Sequence, residues 1–264
     1  MGTIEETKKR LEITKKIVHQ LREIVKGVLL GGSMGFGQNF SVTMNSDIDM
    51  VIICDKKKID TLSKTTYFKN QTPKNVLSMF KKGIINLFWV TKKVDSIEVN
   101  SFIYEPNGYE KFCLLKGGIK GYTPHKPSET QTQHGFDGKE ITFKRNVVPY
   151  ENGYLYEKPA LVNGKFWGGP PRSDLLVSSY ILYQEKNFFD DMKEKVWNSV
   201  LNQLIKEHGS NPDLNKFNIL KTDFTYQTNP KKLPLAVIEK VKNETKYRLK
   251  KLSYNLTNCP SLLK

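Results

Sequence analysis

The chain has 264 residues, enough for one large domain or two modest ones, and its 38% apolar and 26% charged shares suit a globular protein. No run of about 18 apolar residues occurs, so no membrane span is expected, and the polar, mixed-charge residues 1–10 lack the apolar stretch of a secretory signal. Lys and Arg number 42 against 27 Asp and Glu; the net charge of +15 invites a polyanionic partner, although an A- and T-rich coding sequence would produce the same lysine excess.

Residues 3–26 carry Ile4, Leu11, Ile17, Val18, Leu21, Ile24 and Val25 at helical spacing. Thr7, Lys8, Lys9 and Arg10 make the early turns polar, and that face is expected to be solvated. The apolar run Val28-Leu29-Leu30 reads as a strand, and it runs into the small-residue turn Gly31-Gly32-Ser33. Two glycines let a backbone come close to a bulky anion. A helix starting there would present free N–H groups to a phosphate, with the Ser33 hydroxyl as a further donor. Gly35, Gly37 and Asn39 leave room only for a short, frayed helix before Asp47.

Asp47-Ile48-Asp49 leads straight into Met50-Val51-Ile52-Ile53, a buried strand by its apolar, β-branched content. Residues two apart on a strand share a face. Asp47 and Asp49 therefore point one way, and Ile48, Met50 and Ile52 point the other way into the core. Paired carboxylates repel. A site that keeps both ionised calls for a cation, and oxygen-only ligands suit Mg²⁺ or Mn²⁺. Phosphate on one side and a metal on the other is the arrangement that phosphoryl and nucleotidyl transfer need.

Next come a lysine-rich loop at 55–58 and short helices at 59–62 and 73–82, the second with Thr72 as N-cap and Pro73 at the first helical position. A strand is expected at 84–90, a turn at 92–96 and a strand at 97–104. The Asp-bearing strand and the strand carrying Glu98 should share one mixed sheet with helices on one face. From residue 116 Gly and Pro become frequent, and 128–134 is polar and irregular. Short alternating runs at 140–143, 154–156 and 166–167 read as hairpins, with Asp137-Gly138 and Asn163-Gly164 as turn signals. Residues 173–207 are helical by pattern, with a break at Asn187, and a basic helix is expected at 234–252. Cys54, Cys113 and Cys259 are odd in number and scattered, which suggests neither a disulfide framework nor a zinc site. His19, His125, His134 and His208 have no metal or triad spacing, and no Gly-Lys-Ser/Thr phosphate loop is present.

The stretch from Gly31 to Ile53 resembles the signature of the DNA polymerase β-like nucleotidyltransferase superfamily: a Gly-Ser turn, then Asp-x-Asp on the next strand. Gly32 and Ser33 match the Gly-Ser pair, and Asp47 and Asp49 match the two metal-binding aspartates. The family's third carboxylate lies on a neighbouring strand between apolar residues. Ile97-Glu98-Val99 has that pattern, with Glu where Asp is commoner. The resemblance implies an α/β (α+β) fold: a mixed-sheet nucleotidyltransferase core over residues 1–115, followed by a β-rich insert at 116–171 and a C-terminal helical subdomain at 172–264 beside a cleft. It implies Mg²⁺ or Mn²⁺ on Asp47, Asp49 and Glu98. It also implies a nucleoside triphosphate such as ATP, held by Gly31, Gly32 and Ser33 with help from Arg172 and Lys186.

In that family an acceptor group attacks the α-phosphate and pyrophosphate leaves. The acceptors include RNA or tRNA, antibiotics, and proteins, some within toxin–antitoxin pairs. The basic balance favours RNA or tRNA, with a cognate antitoxin as a further partner and the cytoplasm as location. Antibiotic- or protein-modifying activity stays open, as does a non-catalytic nucleotide- or RNA-binding module.

Overall fold

The computed structural model describes residues 4–32, 34, 42–114, 118–134, 140–158, 180–192 and 195. Their elements in chain order are α1 (Ile4–Leu21), β1 (Gly27–Leu30), β2 (Ile48–Ile53), a 3-10 turn (Lys56–Lys58), α2 (Ile59–Lys64), α3 (Lys74–Lys82), β3 (Leu87–Val94), β4 (Ile97–Tyr104), α4 (Pro106–Cys113), β5 (Ile119–Thr123), β6 (Thr130–His134), β7 (Glu140–Lys144), β8 (Asn146–Tyr150), β9 (Gly153–Lys158) and β10 (Tyr180–Gln184). The result is a mixed α/β protein. Eight strands form one sheet in the order β10-β1-β2-β4-β3-β5-β9-β8, and β6 and β7 pair separately. β2 runs parallel to β4 and β3 parallel to β5, while the other neighbours are antiparallel. Among the described residues, no helix is long and apolar enough to cross a membrane.

α1 opens with Glu5 and Glu6, whose charges suit the positive end of the helix dipole. It buries Ile13, Ile17, Val18 and Leu21 on one stripe. It stops at Leu21, short of the expected residue 26, because the chain is drawn into the sheet: Lys26 N–H donates to the Ile53 carbonyl at 2.8 Å. Two positions differ from the sequence expectation. Ile4 is 56% exposed, and Arg10, expected on the solvated face, is fully buried.

Strand alternation divides the apolar residues between two clusters. Val28, Leu30, Ile48, Met50, Ile52, Val99 and Ile103 pack with α1, α2 and α3. Leu29, Val51, Ile53 and Tyr104 pack with Tyr109, Phe112 and Cys113 of α4, and with Phe189 and Met192. Helices therefore cover both faces of the sheet, not one. α4 was not expected from sequence. Its cap is clear in hindsight: the Glu105 carboxylate accepts from Gly108 N–H at 2.7 Å, with Pro106 next in line.

Several boundaries move. β3 begins at Leu87 and runs through Val94, so Lys92–Val94 is strand, and the reversal is confined to Asp95 and Ser96. Both have positive φ, 49° and 67°, as a two-residue hairpin turn requires. Pro73, not Thr72, is the N-cap of α3, with ψ 140°, so the helix starts one residue later than expected. Thr130–His134, expected to be irregular, pairs with Glu140–Lys144. β5, β9 and β8 continue the main sheet beyond β3.

The largest correction is Tyr180–Gln184. Helical by pattern, it is an edge strand antiparallel to β1, with Leu30 opposite Tyr180 and Gly27 opposite Gln184. Its tyrosines and isoleucine suit a pleated surface, and its apolar run is too short for periodicity to separate strand from helix. The turns at Asp137-Gly138 and Asn163-Gly164, the strand at 166–167, the remainder of the helix at 173–207 and the basic helix at 234–252 lie outside the described residues.

Candidate active site

β2 and β4 bring the acidic residues together. In their parallel register Asp49 lies opposite Asn100 and Ile48 opposite Val99. Ile48 is fully buried against the α1 side. Alternation therefore turns Asp49 to the opposite face, which it shares with Asn100 and Glu98. The carboxylates of Asp47 and Asp49 both reach one group, the Asn100 side-chain amide, which donates to Asp47 Oδ2 at 2.9 Å and to Asp49 Oδ1 at 3.3 Å. The amide is held in turn: Thr91 Oγ1 on β3 donates to Asn100 Oδ1 at 2.9 Å. Donors toward the carboxylates and an acceptor toward the hydroxyl fix which way the amide points. Asn100 is the residue that sequence reasoning missed. A neutral amide carries no charge signal, and only the strand register reveals it.

The electrostatics agree with the geometry. Burial, then the Asp47 charge, push the Asp49 carboxyl up to about 6, with Glu98 adding to the rise and the Asn100 hydrogen bond opposing it. The next rung on that face is aromatic. Phe102 stacks on Trp89 with ring centroids 4.9 Å apart, and His125 meets Trp89 edge-on at 5.8 Å.

The glycine turn closes the other side. Gly31 N–H donates to the Asp49 carbonyl at 2.8 Å. Gly32 has φ +57°, and a methyl group added there would collide with Asp49 Oδ2. The second glycine is therefore required twice, for its left-handed backbone and for its approach to the carboxylate. Ser33 and Arg172 lie outside the described residues.

Two expected members stand apart. Glu98 shares the face with Asp47 and Asp49 but is exposed, directly opposite Lys93 on β3. Among the described residues, no three His, Cys, Asp or Glu side chains are grouped to hold a metal ion. Lys186 is not brought to the site. It follows β10 in a turn with φ 52°, at the end of the sheet where Gly27 meets Gln184 and Ile53. Four residues of β1 separate that end from Gly31, about 13 Å at strand rise. The carboxylates nearest to Glu98 in sequence serve elsewhere: Asp95 sits in the hairpin turn and Glu105 caps α4. An open depression of about 540 Å³ lies over the β8–β9 hairpin beside Pro124, lined by none of the acidic-site residues.

Two carboxylates on one rigid face, beside a backbone turn with no side chain, form a donor set suited to a small hard dication. Mg²⁺ is commonly held by one or two carboxylates and completed by water and phosphate oxygens. Asn100 supplies the positive end of an amide to both carboxylates. No protein-family model matches the chain, and no curated protein matches it either.

Proposed function

We propose that the chain is a metal-dependent nucleotidyltransferase that moves a nucleoside monophosphate from a nucleoside triphosphate to an RNA acceptor and releases pyrophosphate. One observation carries this reading: the glycine turn lies against the Asp49 carboxylate, while Asp49 and Asp47 converge on Asn100. A triphosphate lying along the turn would have its oxygens beside both carboxylates.

Asp47 and Asp49 would hold Mg²⁺ or Mn²⁺, with Asn100 fixing the spacing between them. When bound, the ion neutralises charge on the phosphate oxygens and on the leaving pyrophosphate. Gly32, with no side chain, lets the Asp49 carboxylate lie against the turn, so a phosphate beside the turn would also lie beside that carboxylate. The Trp89–Phe102 stack lies on the same face of the sheet, one rung beyond Asn100. An acceptor hydroxyl oxygen bonds to the α-phosphorus as the bond to the bridging oxygen breaks. The hydroxyl proton passes to solvent, and pyrophosphate carries away the bonding pair. Glu98, on the same face, would serve the acceptor side. The net charge of +15 supports a polyanionic acceptor.

A second reading has one observation in its favour. The side chain that contacts both aspartates is the neutral Asn100, while Glu98 is exposed. A nucleotide- or RNA-binding module without catalysis would be built this way. Incubation with each labelled nucleoside triphosphate, Mg²⁺ and total cellular RNA and protein separates the two readings. Label in the RNA fraction supports transfer to RNA, label in the protein fraction moves the acceptor to protein, and nucleotide binding with no transfer favours the module.

A further inference from the structure

Arg10 is the least expected residue of the fold. Its side chain is fully buried, on a helix stripe with Ile13 and Ile17. Burying a guanidinium is costly unless its N–H groups find partners. Here Nε donates to the Ser46 carbonyl at 2.8 Å, Nη2 to the Met44 carbonyl at 3.0 Å, and Nη1 to the Glu6 carbonyl at 3.1 Å and to the Glu6 carboxylate. Two of the four acceptors are carbonyls of the turn that delivers the chain to Asp47.

We propose that Arg10 is a positioning residue for the Asp47–Asp49 pair, joining α1 to the turn that ends at Asp47; this rests on the reading of those aspartates as the cation-holding groups. The Ser46 carbonyl and the Asp47 amide belong to one peptide plane, and that plane is rigid. Holding the Ser46 oxygen therefore sets the Asp47 nitrogen and Cα. The turn is tied within itself: Thr43 N–H donates to Ser46 Oγ at 2.9 Å, and Ser46 N–H to the Thr43 carbonyl at 3.1 Å. These bonds make residues 43–46 one hydrogen-bonded unit, and Arg10 joins that unit to the helix. At its other end Asp47 is held by Asn100 through its carboxylate. Asp47 is thus fixed at its backbone from α1 and at its side chain from β4. Asp49, by contrast, sits inside β2 and is placed by the ladder itself.

The planar fork is what the geometry needs, since it spans three carbonyls and a carboxylate at once. A lysine ammonium keeps the charge but lacks the reach and the fixed angles. The test compares full-length wild type with Arg10→Lys, by amide hydrogen exchange and by Mn²⁺ titration. Arg10→Lys should speed exchange at residues 44–47 at least tenfold with β1 and β4 unchanged, and should weaken Mn²⁺ binding about tenfold. Glu6→Gln, which removes only the counter-charge and keeps an acceptor, should move both readings the same way by a smaller factor. It serves as the decisive variant if Arg10→Lys does not fold.

Faster exchange spread evenly over the sheet, with unchanged Mn²⁺ affinity in the folded protein, would overturn the proposal and leave Arg10 a structural residue only. Unchanged exchange at 44–47 would overturn it as well. A wild type that takes up no Mn²⁺ would instead sink the transferase reading, and the exchange comparison would still decide whether Arg10 holds the turn.

Discussion

Replacing Asp49 by Asn should make the metal-free protein more stable at neutral pH. The carboxyl ordinarily titrates at 3.8 and is pushed up to about 6 in the fold, by burial first and by Asp47 second. At about 1.4 kcal/mol per pH unit, ionised Asp49 costs the folded state about 3 kcal/mol. Because the folded value is the higher one, the protonated group's contribution to stability is fully present below about 3.8 and is lost as pH rises through about 6. Asparagine keeps an oxygen for the Asn100 amide and removes the charge. The exchange of a charge-assisted hydrogen bond for a neutral one offsets part of the gain, leaving about 1–3 kcal/mol. At about 2–4 °C per kcal/mol, the melting temperature should rise by several degrees. The assay is thermal unfolding of wild type and Asp49→Asn in chelator across pH 4–8. The gap between them should open between pH 4 and 6 and stay constant above. Saturating Mn²⁺ should raise the wild type and leave the variant unmoved, since only a species that binds the ion gains from it. A variant no more stable than wild type at pH 7.5 without metal would refute the reasoning.

Gly32→Ala should cost about 1–2 kcal/mol from the left-handed backbone alone and should displace Asp49, so both melting temperature and Mn²⁺ affinity should fall. Asn100→Asp should lower the melting temperature in chelator and tighten Mn²⁺ binding, because a third carboxylate replaces the amide that now donates hydrogen bonds to the other two; a titration in which affinity falls would contradict this. Glu98→Gln, at an exposed position, should change stability by less than about 0.5 kcal/mol; if Glu98 serves the acceptor side, turnover should drop while the nucleotide dissociation constant holds. Binding of RNA by the wild type should weaken steeply with salt, each neutralised phosphate adding about −0.7 to the slope of log affinity against log salt, and a flat slope would remove RNA as the acceptor.

Local pattern made the centre of the sheet readable. The continuous apolar run of β2 and the Ile97–Val99 alternation that opens β4 mark both strands, and the shared face of Asp47 and Asp49 follows from period two alone. The need for glycine at residue 32 was readable as a turn, though its contact with Asp49 was not. What escaped depends on partners distant in sequence. Arg10 looks like a solvated helix residue until the Met44 and Ser46 carbonyls are placed beside it. Asn100 becomes a site residue only through the β2–β4 register. Tyr180–Gln184 was misread because the open edge of β1, not the segment's own periodicity, makes it a strand. Lys186 fell at the wrong end of the sheet for the same reason. Glu98 shares the face of Asp49 by register but is exposed, and the side chain that contacts both aspartates is its strand neighbour Asn100, which sequence could not show.

The most direct measurement of the central claim is transfer of label from an α-³²P-labelled nucleoside triphosphate to cellular RNA, comparing wild type with Asp47→Asn in Mg²⁺. The account predicts labelled RNA and released pyrophosphate in equal amounts with the wild type, and neither with the variant, although the variant remains folded. Equal transfer by both proteins, or no transfer from any of the four nucleotides to any acceptor, would contradict it.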